Sequence, residues 1–555
     1  MSSLSFALFG LLVSHATHAI PMSRRFSGRN FHSYDSMRRQ GNVDGTIGLG
    51  DNSDLLYTVP IQLGDTTTVV NLDTGSSDLW VITTDCTTNA CAKSRTTHLP
   101  AKSLSRTGAN VTMRYGDSTT GTYATGNIAI DTVSIAGVAI ENQLFAAIED
   151  TTNAVVQFGA AGIFGLGFPT ESQIQGAAVT KQFGPQATTD HFVASSYADG
   201  PLISRIAQTG ALEMAMFAIT LQRSTIDISG TGALTLGSLP PGVDNKTITW
   251  VPVRLYKPEE GGITAPTFAP NEVYPLRWEI DLDAVWLDGR KVPASKIPTS
   301  GGVDATRMSA LMDTGNSILR GPKDVVNNIL GSISPEYDPT IPNSATLACA
   351  QAHNLTFQIG GKMFPIDPRD LIGPTEAGQA QECVVDNLVS TDAPGVGALF
   401  RWSLGDPFFR SNLVIFHFGN LTHPSQDPPR IGIVSQVPAN AADLLLQAIA
   451  DAEDNGGNFD STLIVAPTQE ADLKPEVTVR PLSASSQAAG LTSKKAAPTS
   501  IVSKPPTRPA TTTAPTIPQQ TNVGTANDNK TSGASNLRPA LAALVLAVFG
   551  AAVIW

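Results

Sequence analysis

Residues 71–80 read NLDTGSSDLW, a stretch in which a carboxylate stands at the end of an apolar run. Asp73 follows residues 69–72 (VVNL) and is followed by Thr74, Gly75 and two serines, which is a turn sequence. A charge at the mouth of a buried strand is costly unless another group hydrogen-bonds it or shares it. The stretch therefore predicts a partner for Asp73.

A second copy of the pattern supplies a candidate partner. Residues 310–322 read ALMDTGNSILRGP, so Asp313, Thr314 and Gly315 again follow an apolar run and precede small polar residues. The two aspartates are 240 residues apart, which is too far for one turn or metal loop and suits two equivalent domains. Two unrelated turn aspartates are the alternative, but that interpretation leaves the matching flanks unexplained.

Composition indicates a mostly β protein. The chain has 555 residues, of which 41% are apolar and 15% charged, and its short runs rich in Val, Ile, Thr and Leu are separated by turns. The net charge of −12 leaves no basic stripe to neutralise phosphates, so we expect no nucleic-acid partner. A solvated acidic surface is enough to explain this charge.

The beginning of the chain carries export signals. An apolar run followed by small residues predicts a signal peptide over residues 1–19, although a buried first strand is the alternative. Arginine pairs at 24–25 and 38–39 fit processing sites that would release a short prosegment, 20–39, but they fit solvated charge equally well. Export is the expectation that these features share.

The end of the chain has the composition of a tether. After about residue 465 the sequence is rich in Ser, Thr, Pro, Ala and Lys, which predicts a disordered stalk that we place at 439–532. A short apolar tail then ends the chain, and the small residues around Ser532 favour removal of residues 533–555 and lipidation at Ser532 as a GPI anchor. A short membrane span is the alternative.

Cysteines and sequons agree with export. Four cysteines suggest two disulfides, with Cys86 and Cys91 closing a small loop and Cys349 and Cys383 a longer one. Metal ligation is the alternative, but the pairs lack C-x-x-C spacing and companion histidines, so we predict no metal. The chain also contains N-x-S/T sequons, which in an exported protein predict glycosylation, at Asn110, Asn245, Asn354, Asn420 and Asn529.

Two aspartates that face each other would support hydrolysis without a cofactor, metal or covalent nucleophile. Two nearby carboxyls cannot both ionise easily, so they share a proton; one acts as general base toward a water and the other donates to the scissile carbonyl. Gly75 and Gly315 would allow the turns to approach each other. Ser76 and Asn316 would hydrogen-bond the outer carboxylate oxygens.

With these two motifs, the sequence resembles pepsin-like aspartic proteases over about residues 45–438. The resemblance implies a mostly β, bilobal fold with an active-site cleft between an amino-terminal lobe at 40–248 and a carboxy-terminal lobe at 249–438. Residues 248–253 (ITWVPV) resemble the family's crossing into the second lobe. Residues 403–416 resemble the inner strand and turn of the second lobe. Both cysteine pairs also fall where this family has disulfides.

The first lobe carries the most specific motifs of that resemblance. Residues 73–80 resemble the family's first active-site loop, 114–117 (RYGD) its flap, and 160–169 (AAGIFGLGFP) its apolar inner strand. Taken alone, Tyr115 would be an ordinary strand tyrosine. The resemblance implies a set of flap and substrate-contacting residues, namely Tyr115, Gly116, Asp117, Trp80 and Ile163.

The sequence departs from the family pattern in three places. Asn316 stands where the family usually has Thr or Ser, so an amide replaces a hydroxyl beside Asp313. Residues 171–213 are longer than a minimal lobe needs, and residues 20–39 are short for an inhibitory prosegment. The amide bears on how the two aspartates share their proton and therefore on the pH dependence of activity. The short prosegment bears on whether the protein is made as an inhibited zymogen.

These features together predict a secreted, cell-surface aspartic endopeptidase that acts as a monomer on protein or peptide substrates at acidic pH. The order of prosegment, protease body, stalk and GPI signal resembles fungal surface proteases of the yapsin kind. A pepsin-like binding protein without activity is the alternative, but both aspartates and the flap tyrosine are present. A stalked adhesin would need repeats, and other hydrolases would need G-x-S-x-G, H-E-x-x-H or a Walker loop; we find none of these.

Overall fold

The computed structural model describes residues 45–116, 121–210, 212–298, 307–391, 401–466 and 477–479. Strands make up 38% of the structure and helices 22%, and they form two lobes, so the predicted mostly β, bilobal fold is confirmed. Asp117, Asn529 and Ser532 lie outside the described residues, as do the predicted signal peptide, the prosegment and the GPI signal.

The sheet of the amino-terminal lobe carries the first DTG turn. Its strands lie in the order β27-β2-β3-β4-β9-β5-β8-β7-β6, and β28 pairs with β8. Their bounds are β2 Gly50–Asn52, β3 Tyr57–Leu63, β4 Thr66–Asp73, β5 Leu79–Ile82, β6 Ser105–Tyr115, β7 Thr122–Ile135, β8 Val138–Thr151, β9 Gly162–Gly165, β27 Leu463–Ile464 and β28 Val477–Val479.

A second large sheet contains strands of both lobes, beginning with β1 at Gly45, and carries the second DTG turn. Its order is β1-β11-β10-β25-β26-β12-β13-β16-β24-β17-β23. The bounds are β1 Gly45–Gly48, β10 Met216–Thr220, β11 Ala233–Leu236, β12 Thr249–Tyr256, β13 Tyr274–Asp281, β16 Ser309–Met312, β17 Leu319–Pro322, β23 Leu388–Thr391, β24 Trp402–Leu404, β25 Asn412–His417 and β26 Arg430–Ser435.

Smaller sheets and short helices cover these two. One small sheet contains β14 Ala284–Leu287, β15 Arg290–Lys291, β19 Leu355–Ile359 and β20 Lys362–Pro365, and another contains β18 Thr346–Ala348, β21 Gly373–Pro374 and β22 Glu382–Val384. The α-helices are α1 Asn89–Ala92, α2 Gln173–Phe183, α3 Thr189–Asp199, α4 Leu202–Gln208, α5 Lys323–Ile333, α6 Asp406–Ser411 and α7 Ala441–Asp454. Single 3₁₀ turns lie at Ala101–Ser103, Ala154–Gln157, Pro169–Glu171, Gly184–Gln186, Asn245–Thr247, Pro258–Glu260 and Pro368–Asp370.

Local sequence explains the long hairpin formed by β7 and β8. Ile135 pairs with Val138 across a two-residue turn, in which Ala136 and Gly137 both have positive φ, at 48° and 75°. A turn of this kind twists in the same sense as the strands it joins, so it fixes their register. The apolar side chains of β8 then face the core, where Phe145 and Ile148 are fully buried.

The predicted start of the stalk at residue 439 is wrong. Helix α7 buries Leu445, Ile449 and Ala452 along one face, which is the spacing of an amphipathic helix. The chain then returns to the amino-terminal lobe, where β27 pairs with β2 and Thr462 N–H donates to Ser224 C=O at 2.9 Å. We call residues 439–466 the carboxy-terminal strap. The composition changes only after about residue 465, so it does not support a stalk that begins at residue 439.

Both disulfides predicted from the sequence are present. Cys86 is bonded to Cys91, and Cys349 to Cys383, with Cα separations of 5.9 and 4.9 Å. Each bridge lies inside one lobe, so neither links the two halves of the molecule. Across the described ranges, no helix has the length and apolar character needed to cross a membrane.

Candidate active site

The two DTG turns lie at the ends of equivalent strands. β4 pairs in parallel with β9, and Leu166 N–H donates to Asp73 C=O at 2.7 Å. β16 pairs in parallel with β24, and Asp313 N–H donates to Leu404 C=O at 3.1 Å. Both aspartates are buried, with 4% and 2% of their surface exposed. Each lobe therefore delivers one buried carboxyl from the same position in its sheet.

Two threonines join the turns across the lobe boundary. Thr74 Oγ1 donates to Met312 C=O at 2.7 Å, and Thr314 Oγ1 donates to Leu72 C=O at 2.8 Å. Each hydroxyl also accepts the other threonine's backbone N–H, at 3.1 and 3.0 Å. These four reciprocal hydrogen bonds are buried, and they fix the position of one turn relative to the other.

The glycines of the two turns leave room for the carboxyls. A Cβ atom on Gly75 would lie 2.3 Å from Asp313 Oδ1, and one on Gly315 would lie 2.3 Å from Asp73 Oδ1. Real Cβ atoms do not approach oxygen so closely, so any other residue would push the opposite aspartate away. Glycine at these two positions is what allows the carboxyls to meet.

Hydrogen bonding and burial make the two aspartates electrostatically different. Asp73 accepts the Gly75 N–H at 2.8 Å and the Ser76 hydroxyl, whereas Asp313 accepts the Gly315 N–H at 3.0 Å and the more distant Ser403 hydroxyl at 3.4 Å. Burial raises the pKa of Asp73, and hydrogen bonds from Ser76, Gly75 and Asp313 offset part of that rise. Burial and the charge of Asp73 raise the pKa of Asp313 well above its usual range. The hydrogen bonds favour the ionised form of Asp73 and the charge of Asp73 disfavours ionisation of Asp313, so the two carboxyls share one proton.

The end of β6 reaches the same site. Tyr115 is buried, and its hydroxyl accepts a hydrogen bond from Trp80 Nε1 at 2.8 Å, with the two ring centroids 6.3 Å apart. Gly116 follows with φ of 90°, a backbone conformation that favours glycine. Ile163, in β9, pairs with Trp80 in β5. The structure thus brings Tyr115, Trp80 and Ile163 into one group beside the first turn.

The predicted hydrogen bond from the Asn316 side chain to the Asp313 carboxylate is wrong, although the Asn316 backbone N–H donates to Asp313 C=O at 3.1 Å. Asn316 Nδ2 donates to Ser403 Oγ at 2.9 Å, and Ser403 Oγ in turn donates to Asp313 Oδ2 at 3.4 Å. The amide is held in this orientation because its oxygen accepts the Ile318 N–H at 3.3 Å. A hydroxyl on β24 therefore stands between Asn316 and the carboxyl. Ser403 is the first residue of the segment 403–416, but the sequence of that segment does not indicate that its side chain is a neighbour of Asp313.

Two buried arginines near Asp313 were also missed. Arg320, on β17, lowers the pKa of Asp313 through its charge, and Asp313 acts in turn on the pKa of Arg277. Arg277 also pairs with Glu171, which belongs to the amino-terminal lobe. A buried arginine has no sequence signature of its own, because the same letter usually marks a solvated surface.

Comparisons with known proteins agree with this geometry. Residues 56–423 match the family described as eukaryotic aspartyl protease. Pepsin A of Rhinolophus ferrumequinum is 25% identical over 383 residues, covering 68% of this chain and 78% of that protein. Gastricsin of Mus musculus is 27% identical over 360 residues, covering 63% and 75%. Cathepsin E of Mus musculus is 26% identical over 357 residues, covering 63% and 74%.

Proposed function

The chain belongs to the eukaryotic aspartyl protease family and is an aspartic endopeptidase, and we propose that Asp73 and Asp313 are its catalytic residues. The observation that carries this assignment is the reciprocal threonine contact between the two DTG turns, which places two buried carboxyls against each other. Their unequal environments support two different roles.

In the proposed mechanism Asp73 is the general base. Ionised Asp73 removes a proton from a water between the two carboxyls as that water attacks the peptide carbonyl, and protonated Asp313 donates its proton to the carbonyl oxygen. Collapse of the tetrahedral species breaks the C–N bond: the proton held by Asp73 passes to the leaving amine, and one hydroxyl of the tetrahedral carbon returns its proton to Asp313 as the carboxylic acid forms. The reaction uses no cofactor. Trp80 and Tyr115 close the site on one side.

Activity at acidic pH follows from the same pair. The active form holds one proton, so the rate rises as Asp73 ionises and falls as Asp313 ionises. Rates measured against pH with a peptide substrate test this: a bell-shaped profile with an acidic maximum is expected. A rate that rises steadily into alkaline pH would contradict the assignment.

The proposed setting is the exterior of the cell. Two disulfides fit an oxidising compartment, and Asn110, Asn245 and Asn354 are exposed, as glycosylation requires. Asn420 is half-buried, and its amide oxygen accepts two backbone N–H groups. We place the protein on the surface through a GPI anchor at Ser532, as in yapsin-type proteases. Release of the protein from cells by a phospholipase that cleaves GPI anchors supports this, and release by detergent alone supports a membrane span instead.

A further inference from the structure

The two half-sites supply a hydroxyl to their aspartate in different ways. In the first, Ser76 lies three residues after Asp73 and donates directly to it. In the second, the residue at the same spacing is Asn316, and its amide donates to Ser403 rather than to Asp313. The hydroxyl that reaches Asp313 belongs to Ser403, at 3.4 Å.

Strand register identifies the amino-lobe counterpart of Ser403. Ile163 lies opposite the residue two before Asp73 and opposite the residue seven after it. Ser403 lies opposite the residue two before Asp313 and opposite the residue seven after it. The two positions are therefore equivalent. In the amino-terminal lobe the turn residue is a serine and the strand residue is the apolar Ile163. In the carboxy-terminal lobe the turn residue is Asn316 and the strand residue is Ser403, which carries the hydroxyl.

We propose that Asn316 and Ser403 are a pair of positioning residues for Asp313, in which Asn316 orients the Ser403 hydroxyl toward the carboxyl. The Asn316 amide is a donor to Ser403 Oγ, so the hydroxyl hydrogen points to Asp313 Oδ2. Asn316 and Ser403 are each 1% exposed, which leaves no solvent to replace a lost contact. The inference rests on the proposed catalytic role of Asp313.

Asn316 and Ser403 act on Asp313 together with several charged groups that the proposed variants do not alter. The charged and titratable groups facing Asp313 are Asp73, Arg320, Arg277 and Asp406. A hydroxyl that donates to a carboxyl favours its ionised form, and the proposed mechanism assigns the shared proton to Asp313. The pair is therefore expected to govern the alkaline limb of the pH profile and to leave the acid limb unchanged.

The test is the pH dependence of kcat/KM for four proteins: wild type, Ser403→Ala, Asn316→Thr and the double variant. Ser403→Ala is expected to raise the apparent pKa of the alkaline limb by about 0.5 unit, since a weak hydrogen bond to the ionised carboxyl is lost. Asn316→Thr removes the orienting amide but adds a turn hydroxyl, so its two effects oppose each other and its shift should be smaller than that of Ser403→Ala. In the double variant the hydroxyl introduced at position 316 would donate directly to Asp313, as Ser76 does to Asp73, and the alanine introduced at position 403 would be apolar like Ile163. Its apparent pKa for the alkaline limb should therefore return close to the wild-type value.

Two controls separate positioning from packing. Ser403→Thr keeps the hydroxyl and should keep the wild-type profile. Ser334→Ala removes a buried hydroxyl of the same lobe that has no hydrogen-bond partner among the described residues, and it should not move either limb. If Ser403→Ala does not fold, Asn316→Ala carries the test, because it removes the orienting amide without adding a hydroxyl and should therefore raise the apparent pKa of the alkaline limb.

The inference is overturned if Ser403→Ala folds with an unchanged alkaline limb, if Asn316→Ala folds and does not raise that limb, or if the double variant is no nearer wild type than Ser403→Ala. These outcomes differ from failure of the catalytic assignment. Activity that survives Asp313→Asn removes the catalytic role itself. An inactive Asp313→Asn variant combined with an unmoved Ser403→Ala profile removes only the positioning role.

Discussion

Thr74 and Thr314 each accept the other's backbone N–H through a side-chain hydroxyl, at 3.1 and 3.0 Å, across the boundary between the lobes. Both disulfides lie within single lobes, so this contact is not backed by a covalent bridge. The alignment of the two aspartates therefore depends on the threonine hydroxyls and the packing around them.

Thr74→Val tests that dependence. Valine keeps the shape of threonine but leaves the Met312 carbonyl and the Thr314 N–H without their partner. Because both groups are buried, we expect a loss of about 2–4 kcal/mol in unfolding free energy and a large fall in kcat. Thr74→Ser retains the hydroxyl and is the matched control in urea unfolding. Equal stability and activity of the two variants would contradict the role given to this contact.

Trp80→Phe tests the link between the first turn and β6. The change removes the Nε1–H that donates to the Tyr115 hydroxyl at 2.8 Å, so that the end of β6 is held less firmly over the site. One buried hydrogen bond of this kind corresponds to about a tenfold loss in kcat/KM. If the two groups act together, Tyr115→Phe in the same protein should add little further loss. Additive losses in the double variant would mean that they act separately.

Truncation tests the carboxy-terminal strap. A chain ending at 438 loses α7 and β27, so it exposes the surfaces that Leu445 and Ile449 cover and leaves β2 paired with β3 alone. Burial of two such side chains contributes about 3–6 kcal/mol, so its thermal midpoint should fall sharply. A chain ending at 480 keeps all described strands and should unfold like the full-length protein. Equal midpoints for the two truncations would show that the strap does not stabilise the body.

Asp51→Asn tests a pH effect on stability. Asp51 is 1% exposed, and burial together with the charge of Asp54 raises its pKa to about 8. The folded protein thus holds a proton that the unfolded chain releases above about pH 4, so stability from this group is present in acid and lost as the pH rises toward 8. The Asn variant should match wild type near pH 4 and exceed its unfolding free energy by at least about 1 kcal/mol near pH 8. Asp65→Asn, at an exposed turn, is the control and should show no such gain; a gain in both would remove the effect from Asp51.

The sequence was most informative where one residue type is required by chemistry. Two aspartates with matching flanks predicted two lobes, and the small residues after each predicted tight turns. The structure adds a reason that Gly75 and Gly315 are glycines, since each faces the opposite carboxyl. Threonine at 74 and 314 was placed at the site, but its cross-lobe hydrogen bonds depend on how the lobes meet, which a linear pattern does not encode.

The errors arose where position in space decides the role. The Asn316 side chain was expected to hydrogen-bond the Asp313 carboxylate because of its spacing along the chain, but its amide instead reaches a neighbouring strand, where Ser403 intervenes. The strap was assigned to a disordered stalk, although the spacing of Leu445, Ile449 and Ala452 is that of a helix with one apolar face. The spacing of the apolar residues in 441–454 predicts a helix, and the Ser-, Thr- and Pro-rich composition applies only after about residue 465.

The most direct measurement is the peptidase activity of Asp73→Asn and Asp313→Asn, made beside circular dichroism and thermal unfolding of the same proteins. Asparagine keeps the shape of aspartate but cannot hold or pass on the proton. Each variant should therefore fold like wild type and lose activity by several orders of magnitude, while pepstatin inhibits the wild type alone. Substantial activity in either folded variant, or wild-type activity that resists pepstatin and is lost to a metal chelator, would contradict catalysis by this pair of aspartates.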